Sequence, residues 1–369
     1  MNVWQRVKKK SIREICLVKI KFEVRKRDCG MLEYKYKYKD EDFRVNEILN
    51  LVTDGGIYNC YILRKKGFRT VDVIDSIAAN NDIDLANITY AGLKDEDAVT
   101  MQHIAIKGRK IDNCKVLCSG KQYELYFIGA SEYPIEIGKL QGNSFKLRLR
   151  NLEKNVANAI KKWEKHSFTI LNYFGVQRFG MPEKDHITHW IGKNIIENRY
   201  EEAFKQLYSS GNIDEAMYKQ WINDTEIFIK NIVEPRRRTF YLSAYDSYIW
   251  NNTIGEVIRN NCSCNQYEKA GIDFFYSDDI MDSVRKKLEE IPIVWHRYDE
   301  NGEIFEKESF RQPYINLIYR ASDLQNDDEY KERYMIEIDF VLPAGSYATN
   351  AVDQLMYILE NRMMVQDKL

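Results

Sequence analysis

No stretch of the 369-residue chain approaches the roughly 20 consecutive apolar residues that a membrane-spanning helix requires. Its basic start is not followed by the apolar core of a secretory signal, so a cytoplasmic protein is expected. Cysteine is sparse and odd in number, seven in all, which reads as reduced thiols rather than a disulfide framework. Cys114 with Cys118 and Cys262 with Cys264 do not make the C-x2-C pairs of a structural zinc site, and the five histidines supply no H-x3-5-H partner. No metal is expected. A G-x4-G-K-[ST] frame is also missing, which removes the phosphate-cradling loop of many nucleotide enzymes. The net charge of −1 argues against a protein that coats nucleic acid indiscriminately. No internal repeat or low-complexity block appears.

What is present begins with length. A chain this long exceeds the size at which one hydrophobic core usually keeps growing, so two domains are expected. Charge is unevenly spread: residues 1–39 hold 13 basic and 4 acidic side chains, a balance that favours RNA or another polyanion. From Glu33 the chain alternates Tyr34, Tyr36 and Tyr38 with Lys35, Lys37 and Lys39, which predicts a strand with one lysine face. Tyr58 to Leu63 reads as a buried strand that ends in the basic cluster Arg64-Lys65-Lys66-Gly67. Val71, Ile74, Ile77 and Ala78 recur at helical spacing, and Val99 to Ile106 alternates like a strand. Between them lies Ala91-Gly92-Leu93-Lys94-Asp95-Glu96-Asp97-Ala98, one acid in a glycine-containing turn held by regular elements. Catalytic groups concentrate on connections of this kind.

Gly142 to Arg150 is the cleanest strand of the chain, with Phe145, Leu147 and Leu149 on one face and Lys146, Arg148 and Arg150 on the other. Phe145 is its first apolar rung, either a core residue or a ring that stacks on a base. Residues 151–166 predict an amphipathic helix with Val156, Ile160 and Trp163 on one stripe. Asn172 to Gly180 compresses three aromatics, two glycines and Arg178 into a segment suited to cross between domains and meet phosphate. Helical stretches follow at Ile195 to Tyr208 and Ser243 to Arg259, the second preceded by Pro235-Arg236-Arg237-Arg238. A late strand, Tyr334 to Leu342, predicts that the chain returns to complete its first domain around a middle insertion.

Five pieces in order carry a resemblance: Gly92-Leu93-Lys94-Asp95 with Ala98, Thr100 and Gln102; Gly142-Asn143-Ser144-Phe145; Asn172 to Gly180; Leu242-Ser243-Ala244 with Ser247 and Asn251; and Leu342-Pro343-Ala344-Gly345-Ser346 with Ala348-Thr349. Together they resemble the TruD family of tRNA pseudouridine synthases from about Tyr34 to Thr349. The resemblance implies an α+β fold, a pseudouridine synthase catalytic core with a mixed, largely antiparallel sheet, interrupted by an α/β insertion domain. The implied boundaries are a basic extension over 1–30, a catalytic domain over 31–171 plus 332–369, and an insertion over 172–331. It implies tRNA as partner, bound in the cleft between the domains, no cofactor, no membrane, and no obligatory protein partner. It implies isomerisation of uridine to pseudouridine, uridine 13 of tRNA being the usual bacterial target. By position Asp95 takes the catalytic aspartate and Phe145 the ring that stacks on uracil. Asn143 belongs to the same motif, and Phe43 and Lys37 match site-lining residues. Lys94 and Arg178 are further candidates for substrate contact. Ser131-Glu132-Tyr133-Pro134 departs from the family by lacking a basic cluster.

Breaking the N1 glycosidic bond calls for an ionised carboxylate beside the ribose, as nucleophile at C1′ or base at C2′. A cation or amide donor favours that ionised form, which points to Lys37 and Asn143. Two other classes compete. A non-catalytic RNA-binding protein needs the basic and aromatic surfaces and no Asp95, and an aspartate hydrolase needs a second acid, for which Glu96 and Asp97 are the candidates.

Overall fold

The computed structural model describes residues 24–26, 32–136, 138–180 and 186–366. Most of the 1–30 extension expected from the sequence lies outside these residues. The described chain divides into two compact units, one made of residues 32–173 with 314–366, the other of residues 24–26 with 174–313. The first is built on a sheet of eleven strands. Along it run Cys114–Cys118, Lys121–Ser131, Tyr58–Lys66, Val99–Lys107, Phe43–Ile48, Gly142–Leu152, Tyr334–Pro343, Tyr314–Ala321 and Ser167–Leu171. Ile88–Tyr90 adds to Val99–Lys107, and Gln325–Asn326 to Tyr334–Pro343. Among the described residues of this sheet, only Phe43–Ile48 beside Val99–Lys107 is a parallel pair. The sheet is therefore mixed and mostly antiparallel, and the fold is α+β.

Alternation explains its centre. Phe145, Leu147 and Leu149 are buried on the Gly142–Leu152 strand, where the sequence pattern puts them. Gly142 is required for close approach: a Cβ there would sit 2.5 Å from the carbonyl oxygen of Leu342. The return to the sheet comes at Tyr314, earlier than the 332 read from the sequence, because Tyr314–Ala321 pairs with both Ser167–Leu171 and Tyr334–Pro343. The helix Thr70–Asn81 buries Val73, Ile74, Ile77 and Ala78 against Tyr61, Leu63, Ile104 and Leu125. Val73 replaces Val71 as the first apolar contact, which keeps i, i+1, i+4, i+5 on one face. The C-terminal helix Ala348–Gln366 fastens the far edge, where Gln354 donates to the Leu171 carbonyl at 2.8 Å and accepts its N–H at 2.7 Å.

Two further sequence expectations are corrected. The Tyr34 to Lys39 alternation is not a strand: only Lys35 bridges Arg150, and Lys37 takes a left-handed φ of 57°. The stretch Ile195 to Tyr208 is two helices, Thr188–Ile196 and Tyr200–Ser209, broken at Asn198 with φ 56°.

The second unit packs these helices against Pro235–Asn261, whose proline stands in the first turn, where its missing N–H costs nothing. Gly192 lets them meet, since a Cβ there would lie 2.0 Å from the Tyr241 carbonyl oxygen. Its core gathers Ile191, Ile195, Phe204, Leu207, Phe228 and Leu242. Among the described residues no helix is long and apolar enough to cross a membrane.

Candidate active site

Asp95 lies on the connection between Ile88–Tyr90 and Val99–Lys107, and four buried polar side chains hold that connection. Lys65, fully buried, donates from Nζ to the carbonyl oxygens of Asp95 at 2.6 Å and Lys94 at 3.2 Å. Burial pulls its pKa down to about 8, against the opposing charge of Asp95. The Lys94 N–H donates to Thr70 Oγ1 at 3.0 Å, the Thr70 hydroxyl to Gln102 Oε1 at 2.9 Å, and Gln102 Nε2 to the Gly92 carbonyl at 3.3 Å. Lys94 itself is turned onto Glu47, Nζ to Oε1 at 2.5 Å, with both side chains almost wholly buried. The other Glu47 oxygen accepts the His103 N–H at 2.8 Å and faces His103 Nδ1 at 3.4 Å. Burial opposes the Glu47 charge, but the contacts from His103 and Lys94 outweigh it and hold its pKa below the usual value. The ammonium of Lys94 is thus committed to Glu47.

The Asp95 carboxylate meets a different cation. Lys37 Nζ lies 2.8 Å from Asp95 Oδ2, with both side chains partly exposed. The same ammonium sits 4.2 Å from the centre of the Phe43 ring. What places Lys37 is the chain just before it. The Lys35 N–H donates to the Arg150 carbonyl at 3.0 Å and the Arg150 N–H returns to the Lys35 carbonyl at 2.8 Å. Arg150 is wholly buried on Asp42, through Nε at 2.8 Å and Nη2 at 3.0 Å, and on Asp327 through Nη1 at 3.0 Å. Tyr34 donates its hydroxyl to Asp353. A left-handed lysine costs about 1 kcal/mol or more, so these contacts must hold it there.

Phe43 continues into an aromatic row. Its ring meets Phe145 edge-on at 6.2 Å, and Phe145 stacks on Phe340 at 5.5 Å. Strand register places Phe145 beside Val45 and Phe340, and Asn143 beside Glu47 and Leu342. Phe145 is 6% exposed, with one face taken by Phe340, so much of the ring is core. Among the described residues, Asn143 Oδ1 and Thr100 Oγ1 are buried without a hydrogen-bond partner. Such groups are costly in a finished core and fit a site that awaits a polar ligand.

The structure thus gathers Asp95, Lys37, Phe43 and Phe145 by direct contact, with Asn143 on the neighbouring strand position. Arg178 belongs to the second unit, where Nε donates to Ser247 Oγ at 3.3 Å and the guanidinium covers Phe174 and Phe240 at 5.9 and 5.3 Å. Glu47, Lys65, Thr70 and Phe340 are missed by the sequence reading. For Lys65 a signal exists, because it shares strand parity with the buried Tyr61 and Leu63. Among the described residues no group of three His, Cys, Asp or Glu is placed to hold a metal ion.

Comparison with known proteins fixes the class. The family model for tRNA pseudouridine synthase D (TruD) matches residues 23–230, more than half of the chain. The chain belongs to the TruD family. It is an isomerase of the pseudouridine synthase class. It is 27% identical to tRNA pseudouridine synthase D of Aquifex aeolicus over 86% of this chain and 97% of that protein. It is 26% identical to the probable tRNA pseudouridine synthase D 1 of Methanococcus maripaludis over 88% of this chain and all of that one. A crystal structure of a putative TruD protein from Methanosarcina mazei has the same fold, with TM-score 0.53 at 20% identity, covering 94% of this chain and 97% of the other. Against this TruD background the Asp95 turn, the aromatic row and the Asn143 strand form one candidate site in the sheet unit.

Proposed function

We propose that this TruD protein converts uridine 13 of tRNA to pseudouridine, with Asp95 as its catalytic residue. The observation that carries the reading is the Asp95 carboxylate, ion-paired with Lys37 over the aromatic row that starts at Phe43. Isomerisation breaks the N1–C1′ bond and forms C5–C1′, and the hydrogen on C5 is exchanged for one on N1. Asp95 opens the sequence either by attacking C1′ or by taking the C2′ proton, and either role requires the anion. Lys37 pairs with that carboxylate and orients it. The freed uracil is held by Phe145, because a stacked ring allows rotation in plane that fixed hydrogen bonds would resist. Asn143 offers its amide to the polar edge of the base. Reaching the ribose requires the nucleotide to leave its stack, at about a few kcal/mol, which backbone contacts offset. Arg178 is one such contact.

The test is incubation of the purified chain, and separately Asp95→Ala, with unmodified tRNA, followed by carbodiimide and primer-extension mapping. The expected result is one modified position, uridine 13, with the parent chain and none with the variant. Binding of tRNA by both without modification by either would leave a non-catalytic RNA-binding protein as the reading.

A further inference from the structure

Lys65 is a feature of the site that ordinary folding does not explain. Its side chain is fully buried, yet among the described residues it makes no ion pair. Its hydrogen bonds go to two neutral acceptors, the carbonyl oxygens of Lys94 and Asp95 at 3.2 and 2.6 Å. Burying an ammonium without a paired carboxylate costs several kcal/mol, whereas a neutral amide or hydroxyl would join the same carbonyls at lower cost. The excess must be offset by what the positive charge does. The charged groups around it are Asp95, Glu96 and Asp40, with Lys94 as the like charge, and Tyr123 and Thr100 lie opposite on the flanking strands. The Lys94 ammonium is spent on Glu47. Lys37 and Lys65 therefore act on Asp95 from two sides, one at its carboxylate and one at its backbone.

We propose that Lys65 is the positioning residue of the Asp95 turn: its buried ammonium, through charge-assisted hydrogen bonds, clamps the carbonyls of Lys94 and Asp95 so that the carboxylate points at Lys37. This rests on Asp95 being catalytic. A clamp on the backbone of the reacting group sets orientation, and loss of orientation by a fraction of an ångström is enough to slow the chemical step.

The test measures the single-turnover rate of pseudouridine formation in tRNA, at saturating protein, for the full-length chain and for Lys65→Met and Lys65→Arg. Lys65→Met is expected to lose about 100-fold in rate while the Kd for tRNA stays within about threefold. The parent rate is expected to fall as pH rises past about 8, where the clamp loses its proton. Lys65→Arg, whose guanidinium stays charged, is expected to lose that falling limb. Should Lys65→Met not fold, Lys65→Ala with added propylamine supplies the missing ammonium, and rescue of the rate is expected. Lys65→Met at the parent rate overturns the proposal, as does a parent rate that stays flat past pH 9, or a falling limb unchanged in Lys65→Arg. An active Asp95→Ala would instead remove the catalytic reading beneath it, whereas an inactive Asp95→Ala beside a fully active Lys65→Met removes only the clamp.

Discussion

The Asp95 turn and the Asn172 to Gly180 segment are both short, glycine-containing connections, and they are held in different proportions by charged and neutral groups. The first is fastened by charge: the Lys65 ammonium on its carbonyls, the Lys94–Glu47 pair beneath it, and Lys37 on its carboxylate. The second has its backbone fastened by neutral groups, while the charged Arg178 packs over Phe174 and donates to Ser247. Asn251 accepts the Phe174 N–H and donates to its carbonyl, both at 2.9 Å, and Thr188 N–H meets the Phe179 carbonyl at 3.0 Å. Neutral amides satisfy backbone at small cost and give rigidity alone. Buried cations cost more and add a field, which is useful only where a charge must be held for chemistry. On the proposed reading, the difference marks the turn that carries the reacting carboxylate.

The comparison can be broken from either side. The largest expected effect is on the charged side: Lys37→Met should slow the single-turnover rate about 100- to 1000-fold with tRNA affinity little changed. On the neutral side the strongest effect is on stability. His189, buried against Phe179 and Tyr248, has its pKa lowered to about 4 by burial, with the neighbouring His186 adding to the shift. Its folded form resists a proton that the unfolded chain takes up near its ordinary value of 6.5. Stability is therefore complete above that pH and is lost as pH falls from 6.5 toward 4, by on the order of 3 kcal/mol. Urea unfolding at several pH values should show this loss, and His189→Phe should flatten it. Asn251→Ala should cost about 2 kcal/mol in the same assay and leave the rate per folded molecule within about threefold. The smallest effect belongs to Arg178→Ala, which should weaken tRNA binding a few-fold and reduce the salt slope of binding by about 1. A large rate loss in Asn251→Ala, or none in Lys37→Met, would collapse the distinction.

What the sequence discloses follows the range of the interactions. The Gly142–Leu152 strand is legible because alternation is local, and the Thr70 helix because its apolar period survives a two-residue error in which valine faces inward. The lysine–tyrosine alternation misleads for an instructive reason. Its period matches a strand, but a single left-handed residue, Lys37, turns the chain and sends the ammonium to Asp95. Lys65 is hidden inside a basic cluster that reads as solvated, although Leu63 two positions before it is core. Glu47 and Phe340 reach the site only through strand register, a long-range property that no short window contains. The roles expected for Asp95, Phe145 and Asn143 come from family resemblance and not from composition.

The measurement closest to the central claim is hydrogen release from C5 of uridine in tRNA tritiated at that position, with Asp95→Asn beside the parent chain. Asparagine keeps the size of the side chain and an oxygen for Lys37 and removes only the charge. The account predicts stoichiometric release by the parent, none by Asp95→Asn, and equal tRNA binding by both. Release by Asp95→Asn at the parent rate would contradict it, since the reaction would then proceed without the Asp95 anion.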